Sequence, residues 1–512
     1  RKRYSEIGSG WRRLSYETQL IVIILFPLVV APVCYVVPSP RVAWLLTLAT
    51  ATGCFLIAVQ LLLAVLDGGG FSYHLGGWAP PVGIEYRLDV FAAFVLLVLT
   101  AIFLVCQLYA GSLTGKSGIK EIPLAIAPTF FAATLLCISG LMGIVVTGDV
   151  FNLFVFLEIA SLATYAMISL GRQRRALTAA FQYLVLGTIG ATFFLIGVGL
   201  LYAETGTLNM QEMSTLMPEL VDRRTTFTGM TFVIIGLALK LAIFPLHLWL
   251  PNAYTEAPSV VTALLAGTST KVAFYALVRM TVSVFGLETI ADTPLPLILL
   301  IVGALAVIVT SAQAILQVNI KRILAYSSVA QIGYMVIGVG LLTVEGLTAG
   351  FVHLFNHALT KTGLFMAVGI MLLNTVDAKL PSVAGLGRRM PWTSAAVVIT
   401  AFSLVGIPGT AGFISKWALL DAAMAQEAYF IVGVIVIGSL LACIYLLRLL
   451  DVMYFRAPEK VSDNMPAETL TAPFPMITAL WVLAIACLWF GMFTEHSLSV
   501  AKLAATTIMG VQ

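Results

Sequence analysis

Apolar residues in this chain fall in long runs separated by short polar stretches, and each run is long enough to cross a hydrocarbon core about 30 Å thick as a helix. The runs predict fourteen spans at approximately 19–37, 43–66, 88–111, 123–146, 149–170, 176–202, 228–249, 258–285, 295–316, 322–342, 346–374, 392–420, 428–450 and 474–493. The fourth and fifth are parted only by Thr147, Gly148 and Asp149. The expected fold class is an all-α integral membrane protein of about 14 transmembrane helices. Two spans carry their own interruptions: Pro245 in the seventh, and Pro408 with Gly406, Gly409 and Gly412 in the twelfth. Proline removes an N–H and clashes with the preceding turn, so both helices should be broken.

Composition agrees with this reading. Of 512 residues, 60% are hydrophobic and 10% charged, with a mean hydropathy of +1.02, against about 25% charged in soluble domains. A soluble enzyme and a secreted disulfide scaffold are excluded. The net charge of +4 is small and scattered, which excludes a nucleic-acid surface. Cys34, Cys54, Cys106, Cys137, Cys443 and Cys487 show no metal-ligand spacing and read as packing residues in the apolar spans.

With fourteen spans both termini share a side, and counting Lys/Arg sorts the connections. The far side holds Arg41, Lys116, Lys120, Arg172, Arg174, Arg175, Lys321, Arg322, Lys379, Arg388, Arg389, Arg456 and Lys460, with Arg448 at its edge. The terminal side holds Arg87, Arg223, Arg224 and Lys502. The far side is expected to be cytoplasmic, in an inner (plasma) membrane, and both termini extracytoplasmic. The basic tail of Arg1, Lys2, Arg3, Arg12 and Arg13 argues the other way. The chain begins at Arg1 rather than Met, which leaves room for an upstream segment.

The sixth and eleventh spans share seven identities at a constant offset of 170, among them Thr178/Thr348, Phe181/Phe351, Leu184/Leu354 and Gly199/Gly369. Chance similarity between two apolar helices is the alternative. If the repeat is real, an odd number of helices inverts its topology, as in many ion-coupled transporters. The expected division is a basic N-terminal tail (1–18), N-terminal helices (19–111), a first repeat (112–285), a second repeat (286–450), and a loop, last helix and C-terminal tail (451–512).

Charges at bilayer depth are costly and mark functional candidates. Glu158 is flanked by apolar residues and needs a cationic partner. A Glu/Lys pair can gain or lose a proton when a third charge approaches; a static salt bridge is the plainer reading. Lys240 and His247 flank the break at Pro245, and Lys240 is too deep for ready snorkelling. Lys271 sits among hydroxyls. His353, His357 and Lys361 follow at i, i+4, i+8, forming one stripe with about 6 Å of rise per step, suited to stepwise proton transfer through water. Metal binding by the His pair lacks a third ligand nearby. Lys416 closes the second broken span. Asp149 is a further candidate. No spacing marks a Na+ site, which leaves any metal unassigned, and no cofactor is expected.

These segments, Gly148 to Glu158, Lys240 to Pro251, Ala257-Pro258, Lys321 to Tyr334, His353 to Lys361 and Gly406 to Lys416, resemble the proton-conducting antiporter-like subunits of Mrp-type Na+/H+ antiporters, respiratory complex I and membrane-bound hydrogenases. Thr147 to Glu158 and Leu200 to Asn209 look most like the D subunit of Mrp antiporters. Tyr254 stands where many complex I and hydrogenase homologues carry His. The resemblance implies two inverted five-helix repeats, a Glu158–Lys240 pair, and proton passage by Lys271 and the His353/His357/Lys361 stripe to Lys416. It also implies homologous and small hydrophobic membrane subunits as partners, beside H+, Na+ and the bilayer.

Three functions remain in view. The leading one is a subunit exchanging H+ for Na+ or another monovalent cation. The second is a translocase subunit of a redox complex, the only setting in which it would belong to an enzyme. A stand-alone carrier of organic solute would need clustered polar groups, and these are spread out.

Overall fold

The computed structural model describes residues 2–114, 121–171, 173–457, 470 and 472–511; side chains are described from Tyr16 onward, those of residues 113 and 114 excepted. Lys116, Lys120, Arg172 and Lys460 of the charge count lie outside the described residues, as do the side chains of the basic N-terminal tail.

The described residues are mostly helical. The first three spans are α1 (Lys2–Val36), α2 (Pro40–Gly68) and α3 (Val90–Ala110). A first set follows: α4 (Ala127–Val146), α5 (Val150–Ser169), α6 (Arg174–Thr205), the short amphipathic α7 (Met210–Leu220), then α8 (Arg224–Leu241) with α9 (Trp249–Glu256), and α10 (Ser259–Gly267) with α11 (Ser269–Val278). The second set is α12 (Leu287–Ala291), α13 (Leu295–Leu305) with α14 (Ser311–Leu316), α15 (Ile320–Gly340), α16 (Val344–Leu372), α17 (Leu386–Arg389), α18 (Pro391–Val405) with α19 (Ala411–Ala425), and α20 (Tyr429–Phe455). The chain ends with α21 (Phe474–Met492) and α22 (Glu495–Met509).

Among the described residues, twelve segments are long and apolar enough to cross a membrane unaided. The two other expected spans are α16, 29 residues long but diluted by its His, Lys, Asn and Thr residues, and the α18/α19 pair, whose halves are 15 residues each. In the first, polar residues lower the hydropathy, and in the second the break shortens each half. α10, α15 and α16 are buried nearly throughout, whereas α1, α2, α6, α13, α20 and α21 each keep an outward face.

The inverted repeat is visible in backbone hydrogen bonds. Asp149 bridges Asn209, with Val150 N donating to Leu208 O (2.9 Å) and Met210 N to Gly148 O (2.8 Å). Asn319 bridges Lys379, with Ile320 N donating to Ala378 O (2.7 Å) and Leu380 N to Val318 O (2.9 Å). Every residue of the second clasp stands 170 positions after its counterpart, the offset of the sequence repeat. Asp149 caps α5 through Asn152 N, and Asn319 caps α15 through Arg322 N. Five spans separate the clasps, so they lie at opposite ends of the bundle.

Both expected breaks occur. α8 ends at Ala242, which takes a left-handed conformation (φ 62°), and α18 ends at Gly406 (φ 89°), where only glycine is unstrained. A third break is not legible in the sequence: Thr268 (φ −122°, ψ −63°) leaves helical geometry and splits the eighth span into α10 and α11. Two features add to the expected all-helical picture. A small antiparallel hairpin, β1 (Phe71–His74) and β2 (Glu85–Leu88), holds the α4–α5 turn through Gly148 N to Glu85 O (2.8 Å). The C-terminal tail is helical over α22, which packs on α16 and α3 through Ser497, Ala501, Ala504 and Ala505.

Glycines let α6 and α8 approach backbone to backbone, as small residues do in membrane bundles. A Cβ on Gly236 would sit 2.6 Å from Gly190 O, and one on Gly197 2.7 Å from Gly229 O. Gly236→Leu is therefore expected to force the two helices apart at a cost of about 1–3 kcal/mol. The readout is the thermal unfolding midpoint in mild detergent; an unchanged midpoint would contradict the close packing.

Candidate functional site

The buried lysines all meet oxygen, and the three broken spans supply much of it. At the first break, Lys240 Nζ lies 3.3 Å from Glu158 Oε1 and donates to Ser161 Oγ at 2.7 Å. The pair expected from sequence is thus formed between α5 and α8. Glu158 falls on the outward stripe of α5 with Phe151, Val155 and Leu162, and its side chain is 24% exposed against 5% for Lys240. Its carboxylate can be approached from the side of the molecule. Trp249 Nε1 donates to Leu239 O (2.9 Å), satisfying a carbonyl at the frayed end of α8.

At the second break, Lys271 Nζ donates to Ala266 O and to Thr270 Oγ1 (3.3 Å). At the third, Lys416 Nζ donates to Leu404 O (3.0 Å) and Val405 O (2.9 Å), carbonyls of the last turn of α18, and to Ser439 Oγ (3.2 Å). It also lies 5.0 Å from the centre of the Tyr334 ring. On α16, Lys361 Nζ donates to Leu324 O (2.9 Å) and to Ser327 Oγ. Among the described residues, Lys271, Lys361 and Lys416 have no carboxylate partner; of these four lysines Lys240 alone has one.

The α16 stripe connects these sites. His353 Nδ1 shares a hydrogen bond with Ser415 Oγ (2.9 Å), next to Lys416, and its ring stacks on His357 at 6.1 Å. His357 is within electrostatic reach of Lys271, Lys361 and His353, and Lys361 of Lys271 and Lys416. The two ring nitrogens of His357 and Nε2 of His353 have no hydrogen-bond partner among the described residues. Asn356 Nδ2 ties α16 to the third break through Ala411 O (2.5 Å). Between Lys240 and α11 lies a cavity of about 30 Å³, lined by Lys240, Ser161, Thr164, Tyr183 and Ser269. It has room for one or two waters. Lys271, the stripe of Lys361, His357 and His353, and Lys416 are thus within electrostatic reach of their neighbours, and Lys240 lies at the first break beside the small cavity.

Two sequence candidates stand apart. Asp149 caps α5 at the end of the bundle, in the first clasp. His247 is buried beside the first break, stacked on Phe244 at 5.3 Å with the edge of Tyr326 at 6.4 Å. Four hydroxyls join the site without having been candidates. Ser161 and Ser415 are readable in the sequence, one three positions from Glu158 and the other beside Lys416; Ser327 and Ser439 come from distant helices and leave no local signal.

The bundle is also open at both ends. On the terminal side a cavity of about 300 Å³ is lined by Glu85, Asp89, Arg279 and the end of α22. There Arg279 makes a bidentate pair with Asp89 (2.6 and 2.8 Å), and its Nη2 donates to Tyr275 OH (2.9 Å), which donates to Val145 O (2.7 Å). At the other end a cavity of about 460 Å³ is lined by Glu121, Lys321 and Asp377. Glu121 accepts from Ser259 N (2.6 Å) and Ser259 Oγ (2.8 Å) and lies 3.7 Å from Lys321 Nζ.

Such a molecule is a multi-pass membrane subunit built from two inverted repeats around a line of buried bases. The chain belongs to the family described as NADH:quinone oxidoreductase/Mrp antiporter, TM, which matches residues 147–442. It is 39% identical over 455 residues to the N subunit of the NADH-quinone oxidoreductase of Desulforudis audaxviator strain MP104C, covering 86% of this chain and 88% of that one. It is 30% identical over 467 residues to the D subunit of the Na(+)/H(+) antiporter of Bacillus subtilis strain 168, covering 90% and 91%. A chain of the Mrp complex from Dietzia sp. DQ12-45-1b superposes with a TM-score of 0.85 at 25% identity, covering 97% of each.

The Asp89–Arg279 pair ties α3 to the end of α11, its side chains 14% and 12% exposed. Arg279→Met leaves the carboxylate without its cation and is expected to cost about 3 kcal/mol. Adding Asp89→Asn should recover part of that loss, measured by unfolding of both variants in detergent; two independent, additive losses would contradict the coupling.

Proposed function

We propose that this chain is the proton-conducting subunit of a multisubunit monovalent cation (Na+)/H+ antiporter. The observation that carries this reading is the line of buried basic groups from Lys240 to Lys416, hydrogen-bonded to protein oxygen at each lysine and paired with a carboxylate at one end. A line of single sites can pass a proton onward but cannot enclose an organic solute. A cavity with charged residues in its lining opens at each end of the bundle.

In this scheme a proton reaches the interior from one face and disturbs the Glu158–Lys240 pair. The ammonium of Lys240, less neutralised, repels the proton on Lys271, and the charge moves along the α16 stripe of Lys361, His357 and His353 to Lys416. Burial favours the neutral form of each base and an opposite charge the protonated form, so the state of one site sets the next. The exposed Glu158 carboxylate suits a subunit that stands beside others, homologous subunits and small hydrophobic chains among them. The Lys/Arg asymmetry supports a plasma (inner) membrane with both termini outside. Residues 112–285 and 286–450 are the two repeats in this reading, each with a broken helix, α8/α9 or α18/α19, that carries a relay lysine beside its break.

A second reading is the same conduit in a redox-driven complex, where a quinone or hydrogenase reaction on another chain drives it. The 39% identity to the N subunit of a NADH-quinone oxidoreductase favours it.

Lys240→Ala is expected to abolish proton flux in vesicles carrying the whole complex while assembly persists; normal flux would overturn the scheme. Purifying the complex in mild detergent separates the two readings. Partners that are only membrane chains, with no flavin or iron–sulfur absorbance and with Na+-dependent proton flux, are the expected result. Peripheral chains with that absorbance would transfer the conduit to a redox pump.

A further inference from the structure

Behind the first broken helix, α6, α9 and α15 enclose a groove of about 500 Å³ on the outer surface of the bundle. We propose that this groove is a binding site for one anionic phospholipid, and that the lipid braces the break that holds Lys240.

The groove is polar at one end and apolar along its length. Its polar end is a chain of side chains near the bundle surface: Arg322 Nη1 donates to Asn252 Oδ1 (3.2 Å), and Asn252 Nδ2 donates to Gln182 Oε1 (3.0 Å). Arg322 is in the first turn of α15, and its guanidinium lies 5.7 Å from the centre of the Tyr326 ring. Among the described residues it has no carboxylate partner, and only one of its five N–H groups is engaged by Asn252. A planar donor fork without a counter-charge at membrane-surface level is complementary to a phosphate. The same end of the bundle carries Arg174, Arg175, Lys321 and Lys379, so it attracts anions generally.

The wall is built for an acyl chain. Phe181, Val185 and Leu248 are 64%, 41% and 67% exposed and line the groove below its polar end. Leu248 reaches the surface because the break at Ala242 ends α8 and swings the chain outward before α9 begins. A soluble anion would satisfy Arg322 and leave this wall bare; a phospholipid satisfies both.

The floor of the groove is Trp249. Its indole lies flat on Tyr183 (3.9 Å, 2°) and donates to Leu239 O, the carbonyl before Lys240. Tyr183 in turn lines the small cavity that Lys240 faces. Tyr326, on the other wall, sets its edge against His247. A chain packed on Trp249 therefore presses the residue that ties α9 back onto α8. The second half of the proposal rests on the proton-conducting reading; the binding half does not.

The test uses the intact complex, with Arg322→Gln to remove the charge and Val185→Trp to fill the groove. Each complex is placed in nanodiscs of mixed phosphatidylglycerol and phosphatidylcholine, re-extracted, and its retained lipid identified by native mass spectrometry. The parent should retain phosphatidylglycerol in preference to phosphatidylcholine, and Arg322→Gln should lower that retention about fivefold, the worth of one basic group near a membrane surface. Val185→Trp should lower retention of both lipids. Gel filtration and thermal melting check that each variant is folded, and the other variant decides where one is not. Equal retention of both lipids by the parent, no change in either variant, or cross-linking of position 185 to a partner chain in place of lipid would overturn the site. Proton flux of the parent, measured with and without phosphatidylglycerol, tests the brace. Lower flux without it is expected, and unchanged flux with the lipid bound would overturn the brace alone. Bound lipid with no flux under any condition would leave the site standing and defeat the functional reading.

Discussion

An ammonium group inside a bilayer must be given oxygen by the protein, and every carbonyl that a helix break releases must be given a donor. In this molecule the two needs meet each other. Lys416 takes the last-turn carbonyls of α18, Lys271 takes Ala266 O at the end of α10, and at the first break the Trp249 indole takes Leu239 O while Lys240 turns to Glu158 and Ser161. Breaks and lysines stabilise one another at these three sites, while His353, His357 and Lys361 lie on the unbroken α16.

In the proposed function, inversion of the repeats turns that local solution into a path. The clasps at Asp149–Asn209 and Asn319–Lys379 are the same structure at opposite ends, so the broken helices that follow them approach the midplane from opposite sides. Neither half crosses the bundle alone. α16, buried from Gly346 to Met371 but for Phe355, joins them, and its His353, His357 and Lys361 form the shared segment. Glycine contacts between α6 and α8 keep the first half narrow enough for Lys240 to reach α5.

Much of this is legible in the sequence because membrane insertion leaves few choices. Runs of apolar residues mark the spans, Pro245 and Pro408 mark two breaks, and the i, i+4, i+8 spacing places three bases on one face of α16. What is hidden depends on contacts between distant segments. The break at Thr268 has no proline to announce it, and follows a glycine whose Cβ would collide with Thr362 of α16. The partners of Lys361 and Lys416 come from α15, α18 and α20. Asp149 reads as a candidate because it is acidic and near a span, yet the structure uses it as a helix cap.

The claim on which everything else depends is that the two halves are joined through α16. The most direct measurement is cation-driven proton flux in vesicles containing the complete complex with Lys361→Met, where Lys240 and Lys416 are both intact. The account predicts that flux falls at least about tenfold, a barrier increase of about 1.4 kcal/mol or more, while the complex assembles normally. Full flux in the assembled variant would show that protons cross without the α16 segment, and would contradict the account.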